Sequence, residues 1–248
     1  MPLTVTVLGS AGTYAQADNP CSGYLVRTEA TTVWLDCGPG TLGALQQHVG
    51  LGDLDAMVVS HQHPDHWLEL PVVRNAWRYG LRRTGLPVFA TAGVLDLAAT
   101  VLDAELAPTF DSTVIADGSV ARVGDLSFRF SRTDHPVETM ACRVTDGAAT
   151  FAYSADTGAA WSFARLDPDG EGFDLALCEA SLDADDAGSV QHLTGRQAGA
   201  MARAAGVRRL ALTHLMTGTE SDREVEAAAP DAFDGPVEVA GPGATFTV

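Results

Sequence analysis

Ser60-His61-Gln62-His63-Pro64-Asp65-His66 decides how this chain is read. His61, His63, Asp65 and His66 are all metal-ligand types, packed into one short stretch. A His-x-His-x-Asp-His run arises by chance in roughly one chain in a few thousand of this length. Imidazole and carboxylate donors together suit zinc, manganese or iron. Alternate residues point opposite ways, so one such loop can serve two metals. The stretch follows Ala56-Met57-Val58-Val59, which reads as a buried strand.

The same arrangement recurs along the chain. Val33-Trp34-Leu35 leads to Asp36, and Phe151-Ala152-Tyr153-Ser154-Ala155 leads to Asp156. Leu175-Ala176-Leu177-Cys178 leads to Glu179, and Leu210-Ala211-Leu212-Thr213 leads to His214. Strands that run together bring such ends to one edge of a sheet, where loops on a rigid frame build precise sites. Each residue alone has a plainer reading. Asp156 suits a helix N-cap, Asp36 a turn, and His135, before Pro136, an extended backbone. His48 reads as a surface helix residue, and Asp183, Asp185 and Asp186 as a solvated loop. With the 61–66 cluster present, His135, Asp156, His192 and His214 become candidate site residues.

The chain has 248 residues and is expected to form a single domain over 1–248. Hydrophobic residues make up 46% and charged residues 19%, a globular profile. Fifteen basic against 32 acidic residues give a net charge of −17, which disfavours a large nucleic acid as partner. A small charged ligand is not disfavoured, because a metal pair carries its own positive field. Cys21, Cys37, Cys142 and Cys178 lack CxxC spacing and read as reduced core residues. The N-terminus alternates like a strand, and no apolar run approaches the ~20 residues of a membrane helix. A cytoplasmic protein with no membrane partner is expected.

Apolar and polar periodicity predicts strands at 4–8, 23–28 and 32–35, then a short helix over 40–48 and a strand at 56–59. An amphipathic helix over 68–83, a strand at 88–90 and a helix over 93–105 follow. Residues 112–153 carry four or five strands, separated by turns such as Asp117-Gly118 and Asp146-Gly147. A strand at 174–178 precedes a helix opened by the capping box Thr194-Gly195-Arg196-Gln197 and closed by Gly206. A strand at 208–213 and a second capping box, Ser221-Asp222-Arg223-Glu224, complete the pattern. Hairpins inside a βα frame fit two sheets packed face to face with helices outside.

Ser60-His61-x-His63-x-Asp65-His66 with His135, Asp156 and His214 resembles the signature of the metallo-β-lactamase fold, over nearly the whole chain. The resemblance implies an α/β four-layer αββα sandwich and two divalent metals, Zn2+ first and Mn2+ second. It assigns His61, His63 and His135 to one metal and Asp65, His66 and His214 to the other, with Asp156 bridging. Asp36 matches an aspartate that orients the ligand loop. True class B β-lactamases do not use Asp at the bridging position, so lactam hydrolysis is disfavoured. Flavodiiron proteins carry Glu where His63 stands, and persulfide dioxygenases use a single iron.

Glu179-Ala180-Ser181, His192-Leu193-Thr194 and Thr213-His214 resemble the RNase Z side of the superfamily. By that resemblance His192 is a catalytic residue outside the ligand set, braced by Glu179, and Asp65 both ligates and orients the attacking water. RNase Z enzymes commonly insert a tRNA-gripping arm between the third ligand region and the bridging Asp. The span from His135 to Asp156 leaves no room for one. Ala155 replaces a Gly usual before that Asp, which reads as a minor change. Leu8-Gly9-Ser10, Gly40-Thr41-Leu42-Gly43-Ala44-Leu45-Gln46, Tyr153-Ser154-x-Asp156-Thr157-Gly158 and Phe233-Asp234-Gly235-Pro236-Val237 are similar to actinobacterial atypical class II cyclic-nucleotide phosphodiesterases. The expected activity is hydrolysis of a small phosphodiester, foremost a 3′,5′-cyclic nucleotide. An RNase Z-like tRNA 3′ endonuclease, a hydrolase of another small ester, thioester or lactone, and a sensor with a structural metal site remain as alternatives, and a homodimer is left open.

Overall fold

Strands β1 (Thr4–Gly9), β2 (Gly23–Arg27) and β3 (Thr32–Leu35) form the antiparallel meander expected from their alternation. In the computed structural model, which describes residues 1–216, 225 and 227–248, β3 then pairs in parallel with β4 (Ala56–Val59). β4 is buried at every position, as a strand covered on both faces must be. β5 (Leu86–Ala90) and β6 (Phe110–Val114) extend the same sheet in parallel. The second sheet begins with the antiparallel run β7 (Val120–Val123), β8 (Leu126–Arg132), β9 (Met140–Thr145) and β10 (Thr150–Tyr153). It continues in parallel through β11 (Leu175–Glu179), β12 (Leu210–Thr213) and β13 (Val237–Val239). The last strand, β14 (Thr245–Thr247), returns to the first sheet and pairs with β1. Among the described residues each sheet therefore has seven strands, ordered β14-β1-β2-β3-β4-β5-β6 and β13-β12-β11-β10-β9-β8-β7.

The sheets pack face to face over a core that includes Val5, Val7, Tyr24, Val33, Phe128, Phe130, Phe151 and Tyr153. A second apolar layer lies between the first sheet and α1 (Thr41–Leu45), α2 (Pro64–Trp67), α3 (Leu70–Asn75) and α4 (Ala92–Leu102). A third lies between the second sheet and α5 (Gly195–Ala204), together with Trp161 and Phe163. This is the αββα sandwich. The capping box at Thr194 and Gln197 opens α5 as expected. All four cysteines are buried and free of disulfides. His48 lies exposed just after α1, and Asp185 and Asp186 sit in an exposed loop. Among the described residues no helix is long and apolar enough to cross a membrane.

Three expectations need correction. In place of the single helix over 68–83 stand α3 and a wider π turn at Ala76–Gly80, with the short α2 before them. Pro71, in the first turn of α3, has no N–H to continue an earlier helix, so the chain restarts there. The first of the strands expected within 112–153 is β6, and it joins the first sheet beside β5 instead of the hairpin run that follows it. β13 and β14 were not anticipated, because three-residue strands flanked by Gly and Pro carry too little periodicity. The capping box at 221–224 lies outside the described residues.

Candidate active site and metal centre

The parallel strands β3 and β4 of one sheet and β10, β11 and β12 of the other end at the same edge of the sandwich. Cross-sheet bonds close it there: Met140 N–H donates to Ser60 O (3.1 Å), and the Tyr24 and Thr213 hydroxyls are 2.6 Å apart. The chain must leave these strand tips sharply. Asp36, Ala155 and His214 all take positive φ, at 54°, 48° and 57°. Strain of this kind concentrates at functional sites. Gly12 and Gly38 allow loops to close on the centre: a Cβ on Gly38 would stand 1.9 Å from the Asp65 carbonyl oxygen.

Every residue the sequence nominated for the site comes to this edge. His61, His63, His135 and Asp156 present ligand-type atoms within 4.8 Å of one another, and so do Asp65, His66 and His214. Asp156 lies between the groups. Its Oδ2 is 3.6 Å from His61 Nε2 and 3.5 Å from His214 Nε2, while Oδ1 is 3.3 Å from His66 Nε2. His63 Nδ1 and His135 Nε2 are 3.0 Å apart, and Asp65 Oδ2 is 3.1 Å from His214 Nε2 and 3.6 Å from His66 Nε2.

These separations fit a metal. Ligands about 2.0–2.2 Å from a tetrahedral zinc lie about 3.3–3.6 Å from each other. His61 Nε2, His66 Nε2 and Asp156 Oδ1 are buried without a hydrogen-bond partner among the described residues. Orphaned donors and acceptors in so dry a place are costly unless something else binds them. One orphaned nitrogen belongs to each group and the orphaned oxygen to the carboxylate between them, as a pair of divalent cations would require.

The far side of each ring is held. Asp36 accepts from Ser60 N–H at 2.7 Å, Ser60 Oγ at 2.8 Å, His66 Nδ1 at 2.8 Å and the Tyr153 hydroxyl at 2.8 Å. The His61 Nδ1 meets Ser60 Oγ at 3.0 Å, and His135 Nδ1 meets the Gln191 carbonyl at 3.2 Å. His214 Nδ1 lies 2.7 Å from Ser181 Oγ. The Thr13 N–H donates to Asp65 Oδ2 at 2.8 Å. Such partners fix ring orientation and leave the opposite nitrogen for the centre. The sequence reading anticipated Asp36 but missed Tyr153, Ser60, Ser181 and Thr13 in these roles. A tyrosine ending an apolar strand reads as core, and a backbone N–H leaves no trace in residue type. Ser60 and Ser181 did carry a signal, each standing next to or two positions from a candidate.

His192 differs from the other rings. Its Nδ1 is 2.8 Å from Glu179 Oε1, and its side chain is 21% exposed against 0–4% for His61, His66, His135 and His214. Glu179 is itself buried and accepts from Thr157 N–H, Leu193 N–H and Ser181 Oγ at 2.7, 3.2 and 3.0 Å. A His192 nitrogen lies within 4.8 Å of ligand-type atoms of Asp156 and His214, so the ring faces the centre from its open side. Beside it is a cavity of about 290 Å³, lined in part by Asp134, Gly158, Ser189, Gln191 and Gln197.

Charge follows the geometry. Burial works against the Asp156 carboxylate, but His214, His66 and His61 outweigh it and hold its pKa well below the usual range. Burial, then the neighbouring His66, pushes His61 well down, so its ring is neutral and its lone pair free. Burial opposes the charged form of His192, yet the Glu179 hydrogen bond and charge overcome it and raise the pKa to about 9.

The Beta-lactamase superfamily domain matches residues 31–215, which contain the whole centre. The chain belongs to the β-lactamase superfamily. Rv1339 of Mycobacterium tuberculosis, an uncharacterized protein, is 36% identical over 98% of this chain and 92% of its own. The probable metallo-hydrolase YhfI of Bacillus subtilis is 30% identical over 97% of this chain and 98% of its own. The crystal structure of YhfI matches with a TM-score of 0.88 at 28% identity, covering 99% of each chain. Ribonuclease Z of Haloarcula marismortui is 26% identical over 98% of this chain and 96% of its own. As a β-lactamase superfamily member with a probable metallo-hydrolase among its relatives, the chain is a metal-dependent hydrolase.

Proposed function

We propose that the protein hydrolyses a small phosphodiester, foremost a 3′,5′-cyclic nucleotide, at a dinuclear centre. His61, His63 and His135 would hold one metal, and Asp65, His66 and His214 the other, with Asp156 shared. Zinc suits the imidazole-rich, four-coordinate-sized groups best, and manganese next. The observation that carries the reading is His192: a ring held by Glu179 at 2.8 Å, more open than those of His61, His66, His135 and His214, and aimed at the same centre. Binding metal does not need such a residue, whereas protonating a leaving oxygen does. That favours an enzyme over a structural metal site.

Bound metals supply positive charge to the phosphoryl oxygens and lower the pKa of water. The chain's own residues do the rest. Glu179 occupies His192 Nδ1, so Nε2 is the nitrogen left to carry a proton to the departing sugar oxygen. Asp65, fixed by Thr13 N–H, presents a carboxylate oxygen that accepts a hydrogen bond from the attacking water. Asp36 and Ser60 hold the ligand loop still during the reaction, as electrostatic preorganisation demands.

The choice of a small ester rests on three features. The cavity beside His192 is about 290 Å³. The span from His135 to Asp156 is filled by β9 and β10, where an RNA-gripping arm would have to be inserted. The net charge of −17 repels long polyanions. The kinship with Ribonuclease Z keeps tRNA 3′ cleavage as the second reading. Metal-loaded protein is to be assayed against cyclic nucleotides, bis(p-nitrophenyl) phosphate, pre-tRNA and thioesters, with metal content measured in parallel. About two metals per chain and preferred turnover of a cyclic nucleotide are expected. Efficient pre-tRNA cleavage without cyclic-nucleotide turnover would reverse the two readings, and thioester turnover alone would remove both.

A further inference from the structure

All 15 basic residues of the chain are arginines, set against 32 acids. Three of them share one open face. On the second sheet, Phe128, Phe130, Cys142 and Val144 point into the core between the sheets. By alternation, Arg129 and Arg143 point outward. The register places Arg129 directly opposite Arg143, and Val120 directly opposite Arg129. Arg122 pairs with Ser127, one step along the same face, and so lies diagonal to Arg129. Nearer the metal centre this face is covered, where Trp161 Nε1 donates to Ser131 Oγ at 3.2 Å. Further from it lies a cleft of about 400 Å³, lined by Val120, Arg122, Ser127, Arg129, Arg143 and Thr145.

The charge on this face is poorly compensated from within. Neither Asp nor Glu occurs in β7, β8 or β9. Glu171 reaches Arg143 at 2.6 Å, but Arg143 Nε stays buried and unpaired among the described residues. Arg122 Nε donates to the Gly124 carbonyl at 3.2 Å, and Asp125 in the β7–β8 turn feels its charge without forming an ion pair with it. The Arg129 guanidinium has neither a hydrogen bond nor an ion pair among the described residues, its backbone alone being paired in the sheet. Like charges directly opposite on neighbouring strands destabilise a sheet, and a buried unpaired N–H adds to the cost. An anion would relieve both. Guanidinium forks donate to phosphate oxygens two at a time.

We propose that this outer face of β7, β8 and β9 binds a small polyphosphate anion, of the diphosphate or nucleoside di- or triphosphate class, at a site separate from the hydrolytic centre. Three guanidiniums in a triangle match two linked phosphates better than one. The Ser127 hydroxyl adds a neutral donor beside them, while that of Thr145 is held by the Ala149 carbonyl at 2.7 Å. Val120, exposed at the rim, offers apolar surface to whatever carries the phosphates. The site does not depend on the hydrolytic reading, since none of its residues belongs to the centre.

The probe is inorganic pyrophosphate, titrated calorimetrically into metal-free full-length protein so that a metal centre cannot compete for it. Saturable binding in the wild type is expected, weakened at least tenfold by Arg129→Gln. Arg129 has no internal partner to lose, so its removal leaves the fold undisturbed, and an unchanged melting temperature verifies this. Arg143→Gln is the second variant and carries the same expectation. Turnover of a small phosphodiester by the metal-loaded Arg129→Gln protein should match the wild type. Equal pyrophosphate affinity in wild type and Arg129→Gln, or no saturation, overturns the site. A single-stranded oligoribonucleotide that binds this face more tightly than pyrophosphate overturns the ligand class and makes the face an RNA contact.

Discussion

His192 and Glu179 stand at the open side of the centre, and each tests a separate part of the chemistry. Replacing His192 with alanine is expected to lower kcat by about 10²–10⁴-fold on an alkoxide leaving group, the range for losing a positioned acid. Metal content should not change. With p-nitrophenolate leaving, the loss should shrink, because that group departs without a proton. Equal losses on both substrates, or lost metal, would place His192 among the ligands. The same pair predicts a pH effect on the metal-free fold. Its pKa rises from 6.5 to about 9 on folding. A group whose folded pKa is raised stabilises fully below the unfolded value and loses that contribution as pH climbs through the folded one. The melting-temperature gap between metal-free wild type and His192→Ala should therefore be widest near pH 6 and close toward pH 10. A gap that widens with pH would contradict the Glu179 assignment.

At the scale of elements, the decisive unit is the tip of a strand. Asp36 follows β3 and holds the loop after β4 through Ser60 and His66, while Tyr153 at the end of β10 ties it to the other sheet. Asp36→Asn keeps the shape but replaces an all-acceptor group by one half donor, so the donors on Ser60, His66 and Tyr153 cannot all be met. Metal affinity should fall about 10–100-fold, read by competition with a chromogenic chelator. Tyr153→Phe removes one of those bonds and should cost less. If Asp36→Asn bound metal like the wild type, the loop would be rigid without that carboxylate. Much of this was legible beforehand, because apolar strands that stop at His, Asp or Glu announce themselves by residue type. The ligand loop, Asp36, Asp156, Glu179 and His214 were readable in that way, whereas His192, in the loop before α5, ends no strand and was nominated through the His192-Leu193-Thr194 resemblance. Tyr153 was not, since burial at a strand end looks the same whether or not its hydroxyl works. The break of the 68–83 helix followed from Pro71, a signal present but outweighed by the amphipathic period. The partner of β6 was hidden for another reason: strand order is set by long-range packing, which local pattern does not encode. Ala155, read as a trivial replacement of Gly, proves to sit at φ 48°, a conformation in which glycine costs nothing and alanine about 1–2 kcal/mol.

For the whole molecule, the metal centre is also a fastening between the sheets. Its ligand-type residues come from the tips of both, and the buried unpaired atoms His61 Nε2, His66 Nε2 and Asp156 Oδ1 face each other across the seam. Cations binding there stabilise the folded state by mass action. At about 1,000 times Kd one site is worth about 4 kcal/mol, or roughly 10 °C for a chain of this size. Chelation should lower the melting temperature by that order, and zinc or manganese should restore it. A melting temperature indifferent to chelator would mean that the cluster does not bind metal tightly in solution.

β14 joins β1 in a register that sets Val5 opposite Phe246, and Val248 N–H donates to Leu3 O at 2.9 Å. The two ends of the folded chain are thus stitched side by side, at the rim of the first sheet. Topologically the polypeptide is almost a closed ring. The direction in which it is threaded is then a matter of convenience to the fold: a short linker across this seam, with a cut at the Asp146-Gly147 turn, gives a circularly permuted chain that retains every strand pairing and begins with β10 of the second sheet.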